Sequence, residues 1–172
     1  AIEAGADCVK FQMRDLKSLY KNHGQDEESS ADLGDQYTLD LLNRFQLTNN
    51  ELFEVFDYCK SKGKMPMCTP WDMQSLSVLE NYGMEVYKVA SADLTNLDFL
   101  VAIANTHKTM ICSTGMSTEI EIENAVNVLN RINAQYILLH CNSTYPTPNR
   151  DVNLRYLDHL SSIDKGRVVG YS

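Results

Sequence analysis

The sequence has no apolar run near the roughly 20 residues needed to cross a bilayer, so no membrane-spanning helix is expected. Its N-terminus lacks the basic-then-apolar pattern of a secretory signal, and it opens at Ala1 without a Met, so a start further upstream is expected. Basic residues are in deficit. Fifteen Lys and Arg against 23 Asp and Glu give a formal charge of −8, which argues against a nucleic-acid-binding surface. That deficit leaves room for an anionic substrate, because a few focused lysines can hold one inside an acidic protein. The five cysteines, Cys8, Cys59, Cys68, Cys112 and Cys141, form no CxxC pair and are odd in number. Four fall in or beside expected strands, where a free thiol packs as a small hydrophobe, and a reduced, cytoplasmic setting fits best. His23, His107, His140 and His159 show no HExxH-type spacing, so no metal site is expected from them. No GxGxxG turn follows the first strand, which weakens a dinucleotide-binding fold.

What is present is a βαβα rhythm. Short apolar runs, rich in β-branched and other core residues, predict buried parallel strands at Asp7–Gln12, Lys64–Thr69, Val86–Ser91, Thr109–Thr114, Tyr136–Cys141 and Arg167–Ser172. Between them lies helix punctuation. Thr48 with Glu51, and Thr118 with Glu121, are capping boxes opening helices to about Lys62 and Arg131. Asp72 is expected to cap Met73–Asn81 and Asp151 to cap a helix ending near Ser162, with a further short helix over Leu97–Asn105. The strand ends at Thr69, Ser91, Ser113, Cys141 and Ser172 recur at intervals of 22, 22, 28 and 31 residues, the size of right-handed crossover units. An open doubly wound sheet and a closed barrel both fit that rhythm. A full eight-stranded barrel takes roughly 250 residues, and 172 falls short of it.

The segment Met13–Leu47 breaks the rhythm. It holds the polar tract Asn22–Asp35 and a helix-like piece, Thr38–Phe45, and reads either as an active-site lid or as a surface loop.

In parallel α/β folds ligands sit at the C-terminal strand ends. Read in order, those positions carry Lys10 and Gln12, Thr69, Lys88 and Ser91, Ser113 and Thr114, Asn142 to Tyr145, and Ser172. Lys10 and Gln12 are two apart and so share a strand face. Lys88 lies inside the apolar run Val86–Ala90. Burial of an ammonium demands an anionic neighbour or ligand, or a depressed pKa, so Lys88 either pairs with a carboxylate on the next strand or serves a ligand. Two lysines and several hydroxyls converging on one end describe a site for a small phosphate or carboxylate. By contrast, His140 reads as a satisfied core histidine, Trp71 as core packing rather than pocket lining, and Glu121 with Glu123 as a solvated helix face.

The strand-end motifs AGADCVKFQ (4–12), CTPWD (68–72), YKVASADLTN (87–96), STGMS (113–117), HCNSTYPTPNRDVNL (140–154) and VVGYS (168–172) resemble, in order and spacing, the barrel of the N-acetylneuraminate (sialic acid) synthase family, which includes legionaminic and pseudaminic acid synthases. The resemblance implies an incomplete TIM (β/α)₈ barrel over residues 1–172, with about strands two to seven present. The first and last strands and a C-terminal antifreeze-like (SAF) domain would lie outside. Such a piece exposes two unpaired sheet edges.

The reaction implied joins phosphoenolpyruvate to N-acetylmannosamine or a related 2-acetamido sugar, assisted by a divalent metal, Mn²⁺ or Mg²⁺. The metal's His ligands would follow Ser172, leaving none within the chain. By the same resemblance, Lys10, Thr69, Lys88, Ser91, Ser113, Ser143 and Ser172 match phosphoenolpyruvate-binding positions, and Gln12, Asp93 and Tyr145 match positions near the sugar. Lys88 and Asp93 are the expected catalytic pair. Asp93 stands where well-known members carry glutamate, and Asn142 competes with Ser143 for its ligand contact. A homodimer of the full-length protein is also implied. Three other readings stay open: legionaminic acid synthase specificity, since Ser91-Ala92-Asp93 departs from the Ser-Gly-Glu of well-known sialic acid synthases; a Schiff-base aldolase using Lys88 as nucleophile; and an inactive fragment or sugar-phosphate-binding scaffold.

Overall fold

A computed structural model describes residues 1–19 and 40–172. Among these residues, six strands form one parallel sheet: β1 (Cys8–Met13), β2 (Met65–Pro70), β3 (Val86–Val89), β4 (Thr109–Ser113), β5 (Tyr136–His140) and β6 (Val169–Tyr171). Their spatial order is their sequence order. A doubly wound sheet reverses direction at a switch point, and this one does not, so the winding is that of a barrel left open between β1 and β6. The incomplete barrel expected from the sequence is the fold observed, with β1 and β6 as its outer strands.

The helices are α1 (Leu16–Leu19), α2 (Asn49–Ser61), α3 (Met73–Tyr82), α4 (Leu97–Ala104), α5 (Glu119–Arg131) and α6 (Tyr156–Ile163), with a further helical stretch over residues 40–45. Both capping boxes form. Thr48 and Thr118 accept from the amides of Glu51 and Glu121, and each glutamate returns to the cap amide, at 2.8 and 2.7 Å. Asp72 caps α3 as expected, and Gly83 closes it in the left-handed conformation. Asp151 does not cap a helix. It ends a 3₁₀ turn, Asn149–Asp151, and Asn153 then adopts φ 45°, which interrupts the chain before α6 begins at Tyr156. The expected lid tract Asn22–Asp35 lies outside the described residues, as do the first two residues of Thr38–Phe45.

Alternation along the strands divides the sheet into two faces. Cys68, Tyr87, Val89, Met110, Cys112 and Leu138 point into one core cluster with Leu52 and Phe56 of α2, Leu76 and Leu79 of α3, Leu100 and Ile103 of α4, and Leu129 of α5. The other face carries the polar side chains. Beneath the sheet, at the strand starts, the fully buried Asp164 accepts from the Tyr136 hydroxyl at 2.5 Å and so ties the turn after α6 to β5.

Candidate active site

The sheet register gathers the expected residues onto the face opposite the helical core. Gln12 lies beside Thr69, and the pairing of Cys68 with Tyr87 sets Thr69 beside Lys88, so three strands contribute to one level. Lys10 sits one level below Gln12, two strand spacings from Lys88, roughly 10 Å across the sheet. Side chains as long as lysine bridge that gap, and the positive charge of Lys10 acts on Lys88.

Lys88 is 5% exposed. Its ammonium donates to the Val89 carbonyl at 2.7 Å and to the Ser113 hydroxyl on β4. No carboxylate among the described residues lies within ion-pair distance of it, so the neighbouring-strand carboxylate allowed by the sequence does not occur. Burial first, and then the charge of Lys10, push its pKa down to about 8, against weaker opposition from Cys141 and Cys112. Thr69 and Ser113 are buried beside it.

A second group joins the ends of β3, β4 and β5. Gly115 donates its amide to the Ser91 hydroxyl at 3.1 Å, and Ser143 donates its hydroxyl to the Gly115 carbonyl at 2.7 Å. Ser91 also lies 3.5 Å from the Cys141 thiol. Of the Asn142–Ser143 alternatives, Asn142 is engaged within its own loop: it donates to the Asp151 carbonyl and accepts from the Thr144 amide. Thr114 is likewise engaged, with its hydroxyl on the Leu139 carbonyl at 3.0 Å. Ser172 extends the β5–β6 ladder through its amide, 2.9 Å from the His140 carbonyl, and its side chain is exposed.

Asp93 lies in the 3₁₀ turn Ser91–Asp93 that follows β3. Its Oδ2 is buried and has no hydrogen-bond partner among the described residues, and burial raises the carboxyl pKa against the pull of Arg14. Tyr145 is 99% exposed and is not brought against Gln12.

Two expectations for side residues are revised. Trp71 is half-buried rather than packed in the core, and its indole N–H donates to Gln12 Oε1 at 3.1 Å. His140 is satisfied, bonded to the Val152 carbonyl at 2.9 Å, but it is half-buried against Tyr156 and Tyr171. Arg14 was not singled out from the sequence. It continues the spacing of two set by Lys10 and Gln12 past the end of β1, which is the signal that identifies it. A cavity of about 510 Å³ beside Gln12, Arg14 and Gln46 is otherwise lined by Phe11, Leu42, Phe45, Leu52 and similar apolar groups, a mostly apolar wall unlike a phosphate site.

Among the described residues, no three His, Cys, Asp or Glu side chains converge to hold a metal ion. The described residues therefore do not by themselves supply a ligand set for the divalent metal that the resemblance implies. No described helix is long and apolar enough to cross a membrane, and all five cysteines are free thiols.

The family model that matches is that of the NeuB family, over residues 1–172. The chain is 33% identical to an N,N'-diacetyllegionaminic acid synthase of Campylobacter jejuni, covering 100% of this chain and 53% of that protein. It is 31% identical to a pseudaminic acid synthase of Helicobacter pylori, covering 98% of this chain and 49% of that one. The chain thus spans about half the length of the curated relatives it matches. Among solved structures, an N-acetylneuraminic acid synthetase of Leptospira borgpetersenii, crystallised in complex with citrate, superposes with a TM-score of 0.85 at 27% identity, over 98% of this chain and 55% of that one.

Proposed function

This chain belongs to the NeuB family, and from that premise we propose that the protein carrying it joins phosphoenolpyruvate to N-acetylmannosamine or a related 2-acetamido sugar, releasing inorganic phosphate. The observation that carries the reading is Lys88, an ammonium buried without a carboxylate partner among the described residues, on the same sheet face as Lys10. An arrangement of that kind is destabilising until an anion arrives, which is what a site for a phosphate-bearing carboxylate requires.

In this reading Lys10, Lys88, Thr69, Ser91, Ser113, Ser143 and Ser172 face phosphoenolpyruvate, while Gln12, Asp93 and Tyr145 face the sugar. C3 of phosphoenolpyruvate forms a bond to the sugar's aldehyde carbon. Water adds at C2, and the C2–O bond breaks so that phosphate leaves with its bridging oxygen. The P–O bonds are untouched, so no phosphate-cradling glycine loop is needed. Held ammonium and hydroxyl donors align the two reactants, and orientation supplies much of the rate. Asp93 handles a proton on the sugar side, with its raised pKa favouring the protonated form nearer neutrality. The remaining barrel strands and a further domain belong, on this reading, to parts of the protein outside residues 1–172.

The test is to incubate the intact protein with phosphoenolpyruvate and, in turn, N-acetylmannosamine and its bacillosamine-derived relatives, with a divalent cation supplied. Release of orthophosphate matched by a nonulosonic acid supports the proposal, and no release with any of these sugars overturns it. One observation favours a second reading. Burial lowers the Lys88 pKa to about 8, which raises the share of neutral amine that a Schiff base needs. Borohydride trapping of a carbonyl substrate on Lys88 would support the aldolase reading, and the condensation reading expects no adduct.

A further inference from the structure

The side-chain amide of Gln12 is held from two sides. Its Oε1 accepts from Arg14 Nη2 at 2.6 Å and from Trp71 Nε1 at 3.1 Å. An amide oxygen has two lone pairs, and these two donors fill them. Turning the amide over would set its NH₂ against two N–H donors, so the network by itself fixes the orientation. What Gln12 keeps for a ligand is the NH₂ group.

The bracket around it is tied to the sheet. Arg14 lies on the face of Trp71, its guanidinium carbon 4.2 Å from the ring centre, and its carbonyl accepts from Gln46 Nε2 at 2.8 Å. The Trp71 amide donates to the Met13 carbonyl at 3.1 Å. Asp72 accepts from the Asp15 amide at 2.8 Å and the Ser75 amide at 2.6 Å, binding the end of β1 to the first turn of α3. Residues following two different strands thus converge on one amide, with Asp93 within reach of the Arg14 charge.

We propose that Arg14 and Trp71 are positioning residues that lock Gln12 as a hydrogen-bond donor toward the sugar, so that the sugar group read at this point is an acceptor oxygen, a carbonyl or a hydroxyl lone pair. The inference rests on the condensation reading and refines it, adding two residues and the polarity of one contact. Lysine at position 14 would keep the charge but lose the planar fork and the stack on Trp71.

Steady-state kinetics of the intact protein test this through Arg14→Met, Trp71→Phe and Gln12→Ala. The phenyl ring of Trp71→Phe keeps the stacking surface and removes the donor, so it guards against a folding artefact in Arg14→Met. Each of the first two variants is expected to raise KM for the amino sugar on the order of tenfold, the worth of one lost oriented hydrogen bond. KM for phosphoenolpyruvate should hold within about twofold. Added to Gln12→Ala, Arg14→Met should have no further effect, because it acts through Gln12. An unchanged sugar KM, or equal losses for both substrates that persist in the Gln12→Ala background, overturns the inference and leaves the condensation reading standing. Absence of turnover by the wild type with every amino sugar overturns the condensation reading and takes this inference with it.

Discussion

Lys88 on β3 donates to the Ser113 hydroxyl on β4, and among the described residues no carboxylate answers its charge. The fold therefore holds a cation at a free-energy cost, and removing the cation should make the protein more stable. The shift from 10.5 to about 8 corresponds to roughly 3 kcal/mol, an upper bound once structural relaxation is allowed. Lys88→Met is expected to stabilise the intact protein by about 1–3 kcal/mol at pH 7 in urea unfolding, while weakening phosphoenolpyruvate binding at least tenfold. Because the folded pKa is the lower one, the unfolded chain binds more protons between about pH 8 and 10.5. Wild-type stability gains from this group across that window, and the variant's advantage should vanish above it. A variant less stable than wild type at pH 7 contradicts the account.

The same group sets a pH dependence for anion binding. On the proposed reading phosphoenolpyruvate binds the charged ammonium, so its affinity should be full below pH 8 and fall as pH rises through it. A bound anion holds the proton on, so binding near pH 8.5 should take up protons. Titration calorimetry in two buffers of different ionisation enthalpy reads that uptake directly. Equal heats in the two buffers would count against Lys88 as the anion's partner.

Gly115 has no room for a side chain. A Cβ there would stand 2.8 Å from the Cys141 carbonyl oxygen and 3.2 Å from the Ser91 hydroxyl. The first of these is backbone and cannot swing away. Gly115→Ala should push the end of β4 from β5, weaken the Ser91 and Ser143 contacts, and reduce phosphoenolpyruvate affinity about tenfold with a loss of about 1–3 kcal/mol in stability. Calorimetric titration and thermal melting check both halves.

Much of this was legible because it is local. A threonine three residues before a glutamate forms the same box wherever helix follows, so Thr48 and Thr118 declare their helices without tertiary information. Strand alternation likewise assigns Lys10 and Gln12 to one face. Asp151 does not cap α6 because it closes a 3₁₀ turn instead, and the interruption before α6 depends on Asn153 taking a left-handed conformation. Trp71 misled because large aromatics are usually packed inside, whereas this indole is held at the mouth by Gln12 and Arg14, partners 59 and 57 residues away in sequence. The lack of a carboxylate for Lys88 is also a tertiary fact, set by what the neighbouring strands carry opposite it.

The strand-start end of the sheet offers a control remote from the mouth. Tyr136 donates to the fully buried Asp164, whose second oxygen has no hydrogen-bond partner among the described residues, and Arg167 reaches the first at 3.8 Å. Tyr136→Phe deprives a buried carboxylate of its hydroxyl donor and should cost about 1–3 kcal/mol in denaturant unfolding. Phosphoenolpyruvate affinity should be unchanged. A loss of affinity matching the loss of stability would show that the mouth is not mechanically separate from this end.

On the proposed reading, parallel strands bring Lys10 and Lys88 to bear on one anion. A double-mutant cycle tests this most directly, with phosphoenolpyruvate titrated into the intact wild type, Lys10→Met, Lys88→Met and the double variant. Shared contact with one phosphate-bearing ligand predicts that each single change weakens binding at least tenfold, and that the two changes are coupled by about 0.5–3 kcal/mol. Full affinity in Lys10→Met, or losses that simply add, would contradict it.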